Sequence, residues 1–230
     1  MRAADGVHVW ARRMIPLRDT IPSSRTPIVN YTLIALNVGV FVYELSLGPR
    51  VEAFLFAWGL VPAKFHLATL VTSMFLHGGL LHVLGNMLYL YIFGDNIEDR
   101  LGHARYVVFY LLCGAAAGSF QALMNPTSRL PMIGASGAIA GVSGAYMLFF
   151  PSARVVTLVP VFLFLQVVEI PAVVLLLLWF AWQFVSGVAT LGTGKAAAEG
   201  IAFWAHVGGF LAGMLLGPAL RLRTDGRRWA

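Results

Sequence analysis

Charge and cysteine are both scarce in this chain. Asp, Glu, Lys and Arg make up 11% of its 230 residues, hydrophobic residues make up 59%, and the mean hydropathy is +0.78. That is too little charge to cover the surface of a soluble domain of this length. The single cysteine, Cys113, excludes an intrachain disulfide. No internal repeat or low-complexity linker interrupts the chain, so one domain is expected over residues 26–222. The flanking stretches 1–25 and 223–230 read as short basic cytoplasmic tails. Residues 1–25, broken by Pro16 and Pro22, lack the apolar core of a cleaved signal peptide.

What the chain does have is a series of apolar runs, several of them about 20 residues long, the length that crosses a bilayer core. Hydropathy predicts an all-α membrane protein with six spans, at 29–47, 79–93, 103–123, 136–150, 171–189 and 201–220. The fourth is short and rich in Gly and Ala. Residues 48–78 form a long first loop whose Phe54, Phe56, Trp58, Phe65 and Phe75 suit a segment lying in the membrane interface. Residues 154–170 are apolar but carry Pro160, Gln166 and Glu169, and periodicity alone leaves a seventh span open. Charge decides. With six spans, twelve of the 16 Lys and Arg residues fall on the side of the N-terminus and four on the other. This obeys the positive-inside bias and puts both termini in the cytoplasm. The net charge of +6 therefore belongs to span flanks that set topology, and nucleic acid is not an expected partner.

A polar side chain is expensive inside a bilayer, so polar residues in or beside the spans are functional candidates. Gly134-Ala135-Ser136-Gly137 lies at the outer start of the fourth span. A serine there sits beside unpaired backbone N–H groups and the positive end of the helix dipole. Those groups suit an oxyanion formed when the hydroxyl attacks a carbonyl. Small residues of this kind also serve simply as helix-packing material. His206 lies about five residues into the sixth span. Neutral imidazole is the form a general base needs, and an interhelical hydrogen bond is the alternative role. Gly209, Gly213 and Gly217 share a face with His206, and Gly137, Gly141 and Gly144 form a matching stripe in the fourth span. Such faces let two helix backbones approach closely, which brings Ser136 and His206 together at similar depth. Neither helix holds an Asp or Glu, so the pair reads as a Ser–His dyad.

A third cluster, His77, His82 and Asn86, lies at the outer end of the second span. His82 and Asn86 are four residues apart and project from one helical face, from which both can donate to an oxyanion. A three-histidine zinc site built from His77, His82 and His206 competes with this reading. No HExxH and no carboxylate partner accompanies it, and neither metal nor cofactor is expected.

These motifs in combination resemble the rhomboid intramembrane proteases. The resemblance rests on the Ser136 motif in a short fourth helix, Ala205-His206 with Gly209 and Gly213 in the sixth, and His77, His82 and Asn86 in the second. Gly94-x3-Glu98-x3-Gly102 matches the family's turn after the second helix, and the whole covers about residues 60–220. The resemblance implies a rhomboid-like six-helix bundle with Ser136 as nucleophile and His206 as base. It also implies an oxyanion hole made by the Ser136 N–H, His82 and Asn86, and a structural role for Glu98. Two positions depart from the family pattern. Many rhomboids carry a Tyr four residues after the nucleophile, stacked on the catalytic imidazole, where this chain has Ala140; and Trp58 is followed by Gly59 rather than by Arg.

The activity so implied is an intramembrane serine endopeptidase, and the compact six-span layout suggests a prokaryotic inner membrane. Such an enzyme would cleave single-span transmembrane proteins near their outer membrane boundary, with membrane lipid as its surroundings. A non-catalytic rhomboid-like binder of membrane clients is the second reading, which loss of Ser136 or His206 would favour. A transporter with a histidine-lined path is the third, and it calls for paired inverted repeats.

Overall fold

The computed structural model describes residues 15–161, 164–190 and 202–222. Most of the two expected tails, residues 1–14 and 223–230, lies outside the described residues.

Six long helices occupy the positions of the six expected spans. They are α1 Ile28–Ser46, α2 Leu80–Leu101, α3 His103–Met124, α4 Ser136–Phe149, α5 Ala172–Thr190 and α6 Phe203–Leu220. Among the described residues, α1, α3, α5 and α6 are each long and apolar enough to cross a membrane. α2 reaches that standard only together with the helical segment Thr69–Phe75, from which it is bent by 98°. α4 has 14 residues, about 21 Å at 1.5 Å per residue, and is short for a full crossing. Large apolar residues such as Leu36 and Leu45 of α1 and Leu178 and Val185 of α5 face outward, as lipid requires. The first loop is a chain of short helical turns, including Val51–Trp58 and Thr69–Thr72.

α4 lies at the centre and packs chiefly on α6, then on α3 and α2. Its residues Gly137 to Met147 are all buried. The glycine stripes read in the sequence face each other. A Cβ added to Gly209 would strike the Gly137 carbonyl, and one on Gly213 the Gly141 carbonyl. On the α3 side, Gly137 and Gly141 lie against Ala117 and Cys113. Tyr106, Tyr110, Phe93 and Tyr146 fill the layer beneath, fully buried.

Residues 154–170 do not cross the membrane as a helix. They form the antiparallel hairpin β2 Arg154–Val161 and β3 Phe164–Pro171, extended by β1 Ile15–Asp19 in the order β1-β2-β3. Val155, Val156, Thr157, Val159 and Val161 explain the choice, since β-branched side chains suit a pleated strand better than a helix. Among the described residues β1 pairs with residues 155–158 and does not reach Pro160, which lacks a backbone N–H to donate. Part of the expected N-terminal tail is therefore folded onto the bundle. Because α4 runs from Ser136 to Phe149 and β2 follows at once, the sheet caps the end of the bundle opposite Ser136.

Two carboxylates fasten this end. Glu98 accepts the backbone N–H of Val29 at 3.0 Å and of Asn30 at 2.7 Å, satisfying orphan donors at the start of α1. Asp19 accepts the Tyr146 hydroxyl at 2.5 Å and the Asn96 amide at 2.9 Å, tying β1 to α4 and α2. Burial pushes the Asp19 carboxyl above its ordinary 3.8, against the lowering effect of the Tyr146 hydrogen bond.

Candidate active site

The chain reaches Ser136 through a turn that only glycine fits. Gly134 has φ +121°, and a Cβ there would lie 2.7 Å from His82 Nε2. Its N–H donates to the Ser73 carbonyl at 2.9 Å, which fixes the turn against the first loop. Ser136 then opens α4, where the first N–H groups have no intrahelical acceptor.

Backbone contact between α4 and α6 brings His206 opposite. His206 Nε2 lies 2.8 Å from Ser136 Oγ, a hydrogen-bond distance suited to a nucleophile and its base. Its other ring nitrogen, Nδ1, lies 2.7 Å from Gln183 Oε1 on α5. The Trp179 ring, one helical turn earlier on α5, has its centroid 5.5 Å from that of His206 at 40°. Both nitrogens of His206 thus have a hydrogen-bond partner.

His82 and Asn86 line the same cavity of about 620 Å³ as Ser136 and His206. The Gly78 N–H points to His82 Nδ1 at 3.4 Å, so the ring hydrogen falls on Nε2, toward Gly134. Asn86 Nδ2 lies 3.0 Å from His77 Nε2. An amide nitrogen has two hydrogens, so one remains for the cavity after His77 accepts the other. His77 is in turn held by Glu44 of α1, whose carboxylate accepts its backbone N–H at 3.2 Å. The cavity therefore presents a hydroxyl beside an imidazole on one wall, and two side-chain donors on another.

A family model for the Rhomboid domain matches residues 64–223. The chain belongs to the rhomboid family. It is 32% identical over 197 residues, 81% of its length, to Rhomboid protein 1, mitochondrial, of Saccharomyces cerevisiae, covering 51% of that protein. It is 31% identical over 160 residues to RHOMBOID-like protein 4 of Arabidopsis thaliana, covering 67% of this chain and 34% of the relative. Rhomboid protease GluP of Bacillus subtilis is 27% identical over 206 residues, 87% of this chain and 36% of that protein. This rhomboid chain spans about half the length of the yeast relative and about a third of the other two.

The four residues singled out in the sequence of this rhomboid (Ser136, His206, His82 and Asn86) meet at one cavity. Glu98 lies at the other end of α2, away from them. Gln183 and Trp179 escaped the sequence reading, although a signal was present. Gln183 is a polar residue inside an apolar span and one turn from a Trp, which the expense of polar groups in lipid should have flagged.

A second cavity of about 790 Å³ lies between the first loop and the α3–α4 loop, lined by Lys64, His66 and Arg129 among others.

Proposed function

We propose that this rhomboid is an intramembrane serine endopeptidase that cleaves transmembrane proteins near the outer membrane boundary. The observation that carries the reading is the 2.8 Å approach of His206 Nε2 to Ser136 Oγ at the mouth of α4. His206 takes the serine proton as Oγ attacks the scissile carbonyl, and returns it to the leaving amine. During each attack the oxyanion lies among the Ser136 N–H, His82 Nε2 and Asn86 Nδ2, which act as preorganised donors. Water entering the cavity then hydrolyses the acyl-Ser136 ester, with His206 again taking and returning the proton. The name of the Bacillus subtilis relative, a rhomboid protease, supports the same activity. No cofactor takes part.

The substrate class follows from depth. The cavity is walled by bundle helices together with loop residues 130–133, which supports a substrate segment already held in the bilayer. A helical substrate hides its carbonyls in hydrogen bonds, and its outer segment must unwind into the cavity before attack. In this orientation the sheet and both chain termini face the cytoplasm, in keeping with the positive charge on that side, and the membrane is a prokaryotic inner membrane.

The test is incubation of detergent-purified protein with a labelled single-span substrate, alongside Ser136→Ala and His206→Ala. Cleavage falls to background in both variants while the fold is retained, and a fluorophosphonate probe labels only protein that keeps Ser136. Full cleavage by Ser136→Ala would remove Ser136 as the nucleophile, whereas wild-type protein that binds the substrate without cutting it would leave the client-binding reading.

A further inference from the structure

A histidine on a membrane helix has two tautomers and two free side-chain torsions, and only one combination serves a serine. The hydrogen must sit on Nδ1 and the Nε2 lone pair must face Oγ. Something has to select that state. Ala140, one turn after the nucleophile, has no ring to stack on the imidazole.

The selecting groups come from α5. Among them is Gln183, a polar residue only 7% exposed. Gln183 Oε1 is 2.7 Å from His206 Nδ1. An amide oxygen only accepts, so the hydrogen lies on Nδ1 and the lone pair on Nε2, 2.8 Å from Ser136 Oγ. Turning the amide over would present N–H to Nδ1, demand the opposite tautomer and leave Ser136 facing an N–H. Trp179, four residues earlier and therefore on the same helical face, lies against the imidazole ring. Side-chain direction and tautomer are thus both set by one helix that bears neither the nucleophile nor the base.

We propose that Gln183 is the positioning residue of the base, holding His206 in its Nδ1–H tautomer, with Trp179 fixing the ring plane. This rests on the peptidase reading of Ser136 and His206. Because Gln183 is neutral, it orients the imidazolium formed during attack without the full charge that a carboxylate would place there. Among the described residues, the other titratable groups lining the cavity are His82 and Tyr89, both on α2, and α3, α4 and α5 bring none. A carboxylate at position 183 would therefore be, among the described residues, the only acid beside His206.

Two variants and one spectrum test the idea. Gln183→Leu keeps the volume and removes the acceptor. Turnover should fall about 10- to 100-fold, a fraction of the ~10²–10⁴ that general-base catalysis contributes, with KM little changed. Fluorophosphonate labelling of Ser136 should slow in parallel. Gln183→Glu keeps an acceptor and adds charge, so it should retain activity and move the acid limb of kcat/KM to higher pH. A ¹⁵N spectrum of the histidine rings should show His206 protonated on Nδ1 in the wild type and a tautomer mixture in Gln183→Leu. Wild-type turnover and pH profile in Gln183→Leu overturns the proposal. Should that variant fail to fold, an unmoved acid limb in Gln183→Glu overturns it instead. A wild-type protein that is inactive yet shows the Nδ1–H tautomer sinks the peptidase reading alone, whereas an Nε2–H ring sinks the positioning role.

Discussion

Gly137 of α4 and Gly209 of α6 face each other with nothing between their backbones: a Cβ on Gly209 would land on the Gly137 carbonyl. Ser136 and His206 are the neighbours of this contact, one residue before Gly137 and three before Gly209. Their separation is therefore governed by helix backbones and not by a layer of interdigitated side chains.

Enlarging that contact should push the two groups apart. Gly209→Ala adds one carbon where none fits, and overpacking of this kind costs about 1–3 kcal/mol. The unfolding midpoint in detergent should drop, and cleavage should fall more steeply than stability because the Ser136–His206 distance grows. A Gly209→Ala protein with wild-type turnover would show that the helices relax freely.

Removing an oxyanion donor should act on turnover and leave binding alone. Asn86→Ala and His82→Ala should each lower kcat on the order of ten- to a thousandfold, with KM close to wild type. His77→Ala should have a smaller effect, since His77 meets the Asn86 amide and not the substrate. Chelators should change none of these values, and inactivation by EDTA that zinc reverses would return the histidines to a metal site.

The tie between β1 and α4 should weaken as pH rises. The folded protein holds a proton on Asp19 more readily than the unfolded chain, because burial raises its pKa above 3.8. Its stabilising contribution is complete below that value and is lost as pH climbs through the raised one. Asp19→Asn has no proton to lose, so the stability of wild type relative to the variant should decline with increasing pH. Hydrogen exchange at residues 15–19 measures it, and a difference that does not vary with pH would contradict the assignment.

Cysteine labelling should report the layout of the chain. In a Cys113→Ala background, Ser24→Cys and Ser152→Cys lie at the sheet end and should react with an impermeant reagent from one side of the membrane. Thr127→Cys, in the loop before α4, should react from the other. Labelling of Ser152→Cys and Thr127→Cys from the same side would mean that α4 does not separate the two compartments.

Helix positions, the Ser136 and His206 pair and their glycine seam were legible in the sequence, because each depends on spacing within one helix. Gly209 and Gly213 share a stripe whatever surrounds them, and a histidine in an apolar span announces itself. What escaped were partnerships between residues far apart in sequence. Gln183 meets His206 only once α5 packs on α6, and Asp19 meets Tyr146 only once the N-terminal strand folds back. Residues 154–170 were ambiguous for a different reason. A run of apolar residues reads alike as a buried helix or a strand until its β-branched content and its partner strand are weighed. Charge balance excluded a seventh span but said nothing of a hairpin.

Residues Gly137 to Met147 of α4 are buried without a break, so this stretch of the helix that carries Ser136 is surrounded by protein, and exposure returns only at Leu148 near its far end. Its depth is fixed by its neighbours and does not follow bilayer thickness, whereas a substrate helix adjusts its tilt and height to the membrane around it. The bundle is therefore a ruler with a fixed zero, and the lipid sets what is measured against it. On the proposed peptidase reading, in a thicker bilayer the substrate slides past Ser136 by about one residue for every 1.5 Å. The bond that is cut then becomes a property of the membrane as much as of the substrate's sequence.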